Sequence, residues 1–191
     1  DYRTFLARPR RVCAELTPQL PTRRELYVVS LDIKSFFDHV DRSALLKELQ
    51  HLEADYRTAH GLPESLAADE LFWERAARVF SWQWRAEDQK QAELILGGEH
   101  QQLELGLPQG LVASGFLANA YLVRFDQDMQ KSATEGVTIG DDVKLLDYCR
   151  YVDDMRLVVE AKSGPGGMGQ ATVLEHVKSY VSSVLKAHCE R

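Results

Sequence analysis

The sequence predicts an α+β fold in which helices pack against one antiparallel sheet. The first observation is an apolar, strand-like segment at residues 26–33. The second is a pair of strand-like runs at residues 143–149 and 155–159, which are close enough to form a hairpin. The third is helical periodicity in the segments between and after these runs. Together they predict the element order β-α-α-β-α-β-β-α.

Length and composition are those of a globular protein. The chain has 191 residues, of which 45% are hydrophobic and 27% charged, enough for one domain or one domain with an appendage. No apolar run reaches the ~20 residues that span a bilayer, and no signal-peptide pattern opens the chain, so we expect no membrane partner. The three cysteines form no CxxC pair, which favours a reducing, cytoplasmic setting.

Charge does not decide whether the chain binds nucleic acid. The net charge of −6 argues mildly against such a partner, because phosphate binding usually requires a basic surface. The beginning of the chain is rich in arginine, which argues the other way, although a solvated basic face would give the same pattern. The two arguments balance.

In the first half of the chain, residues 26–33 are predicted to form a buried strand. Asp41 is predicted to cap a helix that runs to about Leu52, with leucines spaced along one face. A second helix is predicted from about Ala67 to Arg85. Its stripe of Trp and Phe is expected to lie in the core rather than to bind a ligand.

In the second half, a hairpin over residues 94–107 is predicted to lead into the turn Pro108-Gln109-Gly110. One long helix is predicted from Val112 to about Lys131, because apolar residues recur at i+4 steps. The hairpin at residues 143–159 follows. After a glycine-rich loop, a final helix is predicted over about Ala171–Ala187.

Three aspartates stand where predicted strands end. Asp32 follows the first strand, and the adjacent pair Asp153-Asp154 lies at the tip of the second hairpin. Neighbouring carboxylates repel one another, and divalent cations that also bind a phosphate-bearing substrate relieve this repulsion. Taken alone, an aspartate after a strand is more often a turn former. Two such sites on one sheet can hold two Mg²⁺ ions ~4 Å apart, and Mn²⁺ could replace Mg²⁺.

Four segments carry a resemblance to a known family. They are Asp32–Phe37, Leu107-Pro108-Gln109-Gly110 followed by Ser114, Leu117–Leu122, and Tyr151-Val152-Asp153-Asp154. In order and approximate spacing they resemble the palm motifs of reverse transcriptases, over a stretch from about Val28 to Val159. The chain is most similar to bacterial members such as group II intron, retron and phage-defence enzymes.

The resemblance implies a set of metal ligands. Asp32 and Asp153 would bridge two Mg²⁺ ions, and Asp154 would be a weaker or supporting ligand. The backbone carbonyl of Ile33 would help to coordinate the ion that carries the triphosphate.

The resemblance also implies nucleotide-binding residues. Phe37 matches the gate position at which a bulky ring excludes a ribose 2′-OH. Gln109 and Gly110 match the loop that touches the incoming nucleotide and the templating base, where glycine allows close backbone approach. Without the flanking motifs, an ordinary turn would be the preferred interpretation of this loop.

The implied activity is that of an RNA-directed DNA polymerase, a nucleotidyltransferase that extends a 3′-OH with dNTPs. The implied partners are an RNA template, a DNA or RNA primer and dNTPs, with a structured non-coding RNA or a protein as a further partner. The implied domains are a partial fingers segment at residues 1–25 and a palm at residues 26–191, with a helical insertion at about 41–90 and no thumb.

Two other functions stay open at this point. The same site could serve template-independent, protein-primed DNA synthesis in phage defence, and the sequence does not separate this from templated synthesis. A non-catalytic nucleic-acid-binding scaffold is the third hypothesis, against which the retention of all three aspartates speaks.

Two further motifs offer competing sites. Gly140-Asp141-Asp142 matches the Gly-Asp-Asp of RNA-copying polymerases, but the strand before it is short, so we place the metal site at Asp153. The glycine-rich segment at residues 164–169 matches GxGxxG, but a dinucleotide fold also needs a second strand and an acidic residue ~20 positions on, and here a helix is predicted to follow. We predict a loop there.

Overall fold

A computed structural model describes residues 1–63, 70–81, 85–95, 106–164 and 166–189. The three strands are β1 (Arg24–Asp32), β2 (Lys144–Tyr151) and β3 (Asp154–Lys162). The eight α-helices of the described residues are α1 (Tyr2–Leu16), α2 (Phe36–His39), α3 (Arg42–His60), α4 (Glu70–Phe80), α5 (Gln89–Ile95), α6 (Val112–Tyr121), α7 (Val123–Glu135) and α8 (Gln170–Cys189). Helices and a small antiparallel sheet confirm the α+β class.

The chain divides into two compact units. The first unit comprises Asp1–Lys34 and Leu122–Arg191, and the second comprises Ser35–Tyr121. The first unit contains the sheet together with α1, α7 and α8, and the second contains the other helices. No helix among the described residues has the length and apolarity needed to cross a membrane.

The sheet of the first unit is antiparallel, with the order β1-β3-β2. The strand predicted at residues 26–33 is confirmed as β1, but the prediction that it is buried is wrong. Of its nine residues Val29 alone is buried, and Val28 is 49% exposed. The reason is its position, because β1 lies at an edge of the sheet and pairs only with β3 among the described strands.

The two faces of the sheet receive different helices because side chains alternate along a strand. On β2, Tyr148 and Arg150 face α7. Asp147 and Cys149, which alternate with them along the strand, face α1. On the central strand β3 both faces are covered, since the consecutive residues Leu157, Val158 and Val159 are fully buried. The hairpin therefore lies between a helix on one face and a helix on the other.

Helix α1 is an element that sequence reasoning missed. Asp1 caps it, since the Asp1 carboxylate accepts a hydrogen bond from the Thr4 amide at 2.9 Å. The helix then continues through Pro9, which lacks an amide hydrogen and cannot bond the carbonyl of Phe5. The thiol of Cys149 lies 4.0 Å from that carbonyl oxygen. Packing against β2 thus supports a helix that contains a proline in its interior.

In the second unit, the predicted helix cap is confirmed. The Asp41 carboxylate accepts hydrogen bonds from the amides of Ser43 and Ala44 at 2.8 and 2.9 Å. Helix α3 extends beyond the predicted end near Leu52 to His60, where Gly61 takes a left-handed conformation with φ of +61°.

Helix α4 confirms the type of the predicted second helix, although the predicted start at residues 67–69 lies outside the described residues. The predicted end at Arg85 is wrong, since the helix ends at Phe80 and Ser81 lies in a turn. The prediction that its apolar stripe is core is wrong. Leu71, Phe72 and Val79 are 53%, 56% and 72% exposed, and no residue of the helix is buried. An apolar stripe is buried only where another element covers it, and sequence periodicity does not show whether one does.

The hairpin predicted at residues 94–107 is wrong where it can be compared. Leu94 and Ile95 end helix α5, and residues 96–105 lie outside the described residues. A short apolar run is compatible with either a strand or a helix. The glycines that follow this run favoured a strand and a hairpin turn, whereas the run is helical as far as Ile95.

The long helix predicted from Val112 is two helices. The chain leaves helical geometry at Leu122, with φ of −100° and ψ of 6°, and α7 starts at the next residue. The predicted apolar stripe is nevertheless confirmed in both helices, since Tyr121, Phe125 and Met129 are buried. No proline or glycine marks the break. The final helix is confirmed as α8.

Candidate functional site

The turn between β2 and β3 carries the predicted aspartate pair. Strand β2 ends at Tyr151 and β3 begins at Asp154, so that the turn consists of Val152 and Asp153. Asp32 is the register partner of Asp154 across the sheet. One residue further along, the Ile33 amide donates a hydrogen bond to the Asp153 carbonyl at 3.2 Å. The backbone therefore brings together all four residues that were predicted as metal ligands.

The side chains of this cluster lie where a ligand can reach them. Asp32 is exposed, while Asp153 and Asp154 are half-buried. The Asp154 carboxylate lies 3.8 Å from the Arg156 guanidinium. No hydrogen bond or ion pair joins the carboxylate of Asp32 or Asp153 to another described residue.

Carboxylate oxygens are the ligands that Mg²⁺ prefers, so the donor chemistry of these aspartates fits this ion. Within the described ranges, however, no three His, Cys, Asp or Glu side chains converge as a ready-made metal group. The predicted ligands therefore fit Mg²⁺ in where their backbones lie and in supplying carboxylate oxygens.

Val152 adopts an unusual backbone conformation in the turn. Its φ is +58°, in the left-handed region that β-branched residues rarely enter. Such a conformation costs roughly 1–2 kcal/mol for a residue that carries a side chain. The surrounding contacts must therefore hold the turn in place.

On one face of β2, helix α7 supplies such a contact. The Asp126 carboxylate accepts hydrogen bonds from Arg150 Nε at 2.9 Å and from Arg150 Nη2 at 2.5 Å. The third guanidinium nitrogen of Arg150, Nη1, donates to the Val152 carbonyl at 2.5 Å. Burial by itself lowers the pKa of Arg150, but the hydrogen bonds and charge of Asp126 outweigh it and raise the pKa.

Tyr148 completes this buried group. Its hydroxyl donates to Asp126 Oδ1 at 2.6 Å, and its ring meets that of Phe125 edge-on. Burial, together with the charge of Asp126, raises the pKa of Tyr148 far above the ordinary tyrosine value. Tyr148 is therefore a neutral hydrogen-bond donor over the whole physiological pH range.

On the other face, helix α1 packs against the end of the hairpin. The Tyr151 ring lies 5.0 Å from the ring of Tyr2 and 6.0 Å from that of Phe5, centroid to centroid. The Arg156 guanidinium stacks 5.2 Å over the Phe5 ring. Arg156, which also faces Asp154, is thus held between a ring of α1 and a carboxylate of the cluster.

The second unit contains the predicted nucleotide-binding residues. Phe37 is half-buried in α2, and its carbonyl accepts a hydrogen bond from the Leu107 amide at 2.7 Å. This bond joins α2 to the loop that carries Gln109 and Gly110, both exposed. Gly110 has φ of +88°, a conformation that favours glycine.

Gly106 was not predicted, although it sets how closely this loop approaches α2. It has φ of +90°, and a Cβ atom there would lie 3.2 Å from the Phe37 carbonyl oxygen and 3.1 Å from that of Asp38. Any residue larger than glycine would press against the backbone of α2.

The competing segment Gly140-Asp141-Asp142 lies at the other end of the sheet. The Asp142 carboxylate pairs with Arg24 at 2.7 Å, and Arg24 is the first residue of β1. Asp32 is the last residue of that strand, eight steps away, or about 26 Å at the usual rise per residue. The two candidate sites are therefore separate, and Asp32 lies beside Asp153.

Comparison with known families decides the classification. A family model described as reverse transcriptase (RNA-dependent DNA polymerase) matches residues 1–188. The chain belongs to the reverse transcriptase family. No curated protein and no solved structure showed a significant match. Membership implies a nucleic-acid-copying nucleotidyltransferase, and enzymes of this family generally use divalent metal ions.

Sequence reasoning missed the residues that surround the reverse transcriptase motifs. Arg150 directly precedes the Tyr-Val-Asp-Asp motif, and its place in an alternating strand puts it on the core-facing side of β2. A charge on a buried face requires an opposite charge nearby. That rule predicts that Arg150 has an oppositely charged partner, but it does not identify Asp126 of α7 as that partner.

Proposed function

We propose that this chain is the catalytic palm of a reverse transcriptase that extends a primer 3′-OH with dNTPs by two-metal nucleotidyl transfer. The observation that supports it best is the pairing of Asp32 with Asp154, with the Ile33 amide bonded to the Asp153 carbonyl. Two bound ions would activate the attacking hydroxyl and stabilise charge on the phosphoryl group and its leaving oxygen.

The residues of the cluster have unequal roles in this proposal. Asp32 and Asp153 would hold both ions, since neither carboxylate has a partner among the described residues. Asp154 would be the supporting ligand, in agreement with its contact to Arg156. The carbonyl of Ile33 would contribute a further oxygen to the ion that carries the triphosphate.

Phe37 would select the sugar of the nucleotide. Its backbone is tied to the loop of Gln109 and Gly110 by the hydrogen bond from Leu107, so the ring and the loop would act as one nucleotide-binding element. A ring that fills the space of a 2′-OH disfavours ribonucleotides by steric exclusion. Gln109 and Gly110 would touch the incoming nucleotide and the templating base.

The proposed substrates are an RNA template, a DNA or RNA primer and dNTPs, and the resemblance to bacterial enzymes extends the partners to a structured RNA or a protein. Primer extension by the protein that carries this chain, on matched RNA and DNA templates, tests this. Sequencing of the product separates templated from template-independent synthesis, because the latter gives random or homopolymeric DNA.

Matched aspartate variants test the site. Asp153→Asn should lower incorporation by about three orders of magnitude or more, since loss of a metal ligand removes several kcal/mol of transition-state stabilisation. Asp141→Asn removes the same charge at the other end of the sheet and should leave incorporation unchanged. If Asp153→Asn retained full incorporation, the proposed site would be wrong.

A further inference from the structure

The Val152-Asp153 turn is bonded by an arginine from the core-facing side of β2. Arg150 is almost completely buried, with 6% of its side chain exposed, and Nη1 bonds the carbonyl of Val152. Val152 is the residue with positive φ, and the next residue is Asp153. A backbone in an unfavourable conformation relaxes unless its neighbours fix it. Arg150 makes a side-chain hydrogen bond to the backbone of this turn.

Asp126 fixes the orientation of Arg150. Nε and Nη2 of the guanidinium form a two-pronged contact with the carboxylate of Asp126 on α7. The guanidinium group is planar and rigid. Once Nε and Nη2 are bonded to the Asp126 carboxylate, the direction in which the remaining nitrogen, Nη1, points is therefore fixed. That direction is the Val152 carbonyl. Tyr148 donates to the same carboxylate and so holds it in turn.

We propose that Arg150 is a positioning residue, oriented by Asp126, that holds the Val152-Asp153 turn in the conformation that presents Asp153 to metal ions. It acts through the backbone carbonyl of Val152 and does not touch substrate. The role in catalysis rests on the proposed function, whereas the role in shaping the turn does not.

A purely structural role is the competing explanation, and the chain offers a matched control for it. Arg8 of α1 makes an equivalent two-pronged contact with Asp147 on the opposite face of β2, at 2.9 Å from Nε and 2.6 Å from Nη2. That pair joins a helix to the same strand but does not bond the turn. Arg8→Met should therefore destabilise the fold without changing the turn.

The experiment compares Arg150→Met, Arg150→Lys and Arg8→Met in the protein that carries this chain. Three quantities are measured: Mn²⁺ affinity by titration calorimetry, amide hydrogen exchange over residues 150–154, and kcat and KM for dNTP incorporation. Thermal unfolding confirms that each variant is folded. Lysine keeps the charge beside Asp126 but lacks the planar fork that bonds both carboxylate oxygens and directs a separate nitrogen at the Val152 carbonyl.

Both Arg150 variants should speed exchange at residues 150–154, weaken Mn²⁺ binding about 10- to 100-fold and lower kcat by a similar factor, as loss of an outer-shell partner typically does. KM for dNTP should change little, because Arg150 does not contact the nucleotide. Arg8→Met should leave all of these values close to those of the unchanged protein, whatever its melting temperature.

The proposal is overturned if exchange over residues 150–154 in the Arg150 variants equals that of Arg8→Met. The hydrogen-exchange measurement does not depend on polymerase activity. If the unchanged protein incorporates no nucleotide, the proposed function fails, and the exchange result alone still decides the role of Arg150. If Arg150→Met does not fold, Arg150→Lys supplies the same comparison.

Discussion

At the scale of single residues, the hairpin places a buried charge next to the strained turn. Removing an arginine or a carboxylate from water is costly, and only good hydrogen-bond geometry offsets this cost. Arg150 uses all of its guanidinium nitrogens, two on Asp126 and one on the Val152 carbonyl. Tyr148 supplies Asp126 with a further donor. The group is thus well bonded, which explains how a charge is tolerated there.

Tyr148 gives this group a measurable pH dependence. Burial and Asp126 raise its pKa above the unfolded value near 10. Above that pH the unfolded chain loses the tyrosine proton and the folded chain keeps it, so stability is present below about pH 10 and falls as the pH rises further. The slope from this residue should be about 1.4 kcal/mol per pH unit.

Tyr148→Phe should remove that slope while losing a hydrogen bond at neutral pH. The measurement is the free energy of unfolding in urea at several values between about pH 8 and 11. Tyr56→Phe, at an exposed tyrosine, is the control and should keep the slope. Stability curves of Tyr148→Phe and the unchanged protein that run parallel above about pH 10 would contradict the assignment.

Residue-scale prediction from sequence succeeded where local pattern was sufficient. The positions of Asp32, Asp153 and Asp154 at strand ends follow from apolar runs and a tight turn, and the sheet register agrees with them. The Asp126–Arg150 pair spans 24 residues and two elements, so no local pattern indicates it. The positive φ of Val152 was equally hidden, because valine gives no sign of a left-handed conformation.

At the scale of elements, the strands and the final helix were predictable and several helices were not. Alternation and periodicity are properties of the sequence itself, and they predict β1, the hairpin and α8. Burial depends on what packs against an element. For that reason α1 was missed despite its contacts with β2, and the apolar stripe of α4 was wrongly placed in the core.

The loop before α6 offers an element-scale test in a pair of glycines. Gly106 and Gly110 share a positive φ near 90°, so alanine at either position costs backbone energy of about 1–2 kcal/mol. Only at Gly106 does a Cβ atom also meet the backbone of α2, whereas no atom lies within 4 Å at Gly110. Gly106→Ala should therefore destabilise by about 1–3 kcal/mol more than Gly110→Ala.

Urea unfolding of the two alanine variants measures this difference directly. The Gly110→Ala variant is the matched control, since it carries the same substitution in the same loop. Equal losses of stability would mean that the loop does not depend on its close approach to α2, and the link between Phe37 and the loop would then be weaker than the structure indicates.

At the scale of the whole molecule, the predicted functions fall on different units. The proposed metal ligands all lie in the first unit, and Phe37, Gln109 and Gly110 lie in the second. Substitutions should therefore separate metal binding from sugar selection. Phe37→Ala should raise ribonucleotide use relative to deoxynucleotide use on the order of tenfold or more, and leave Mn²⁺ affinity unchanged.

Asp32→Asn should weaken Mn²⁺ binding, because a charged ligand is lost, and leave the ratio of ribonucleotide to deoxynucleotide use unchanged. Competition between rNTPs and dNTPs in primer extension, together with calorimetry, measures both effects. Phe116→Ala, which removes an exposed ring from the second unit, is the control and should change neither quantity. If Phe37→Ala left the discrimination unchanged, the sugar-gate role would be wrong.

At the same scale, sequence motifs established the family, and the structure added how the chain is divided. The spacing of four motifs predicted a reverse transcriptase, and the match over residues 1–188 confirmed the family. The assignment of residues 1–25 to fingers, of 26–191 to a palm and of about 41–90 to an insertion stays a prediction. Charge gave no guidance, because a net charge of −6 includes the aspartates that metal ions would neutralise.

Helix α1 affects how N-terminal truncations of this protein should be interpreted. A truncated version that starts at β1 would keep every predicted catalytic residue and the whole sheet. It would lose Tyr2 and Phe5, which pack on Tyr151 at the end of the hairpin. Weak activity of such a truncation would then report an unsupported hairpin, and it would be mistaken for evidence that the aspartates are inert.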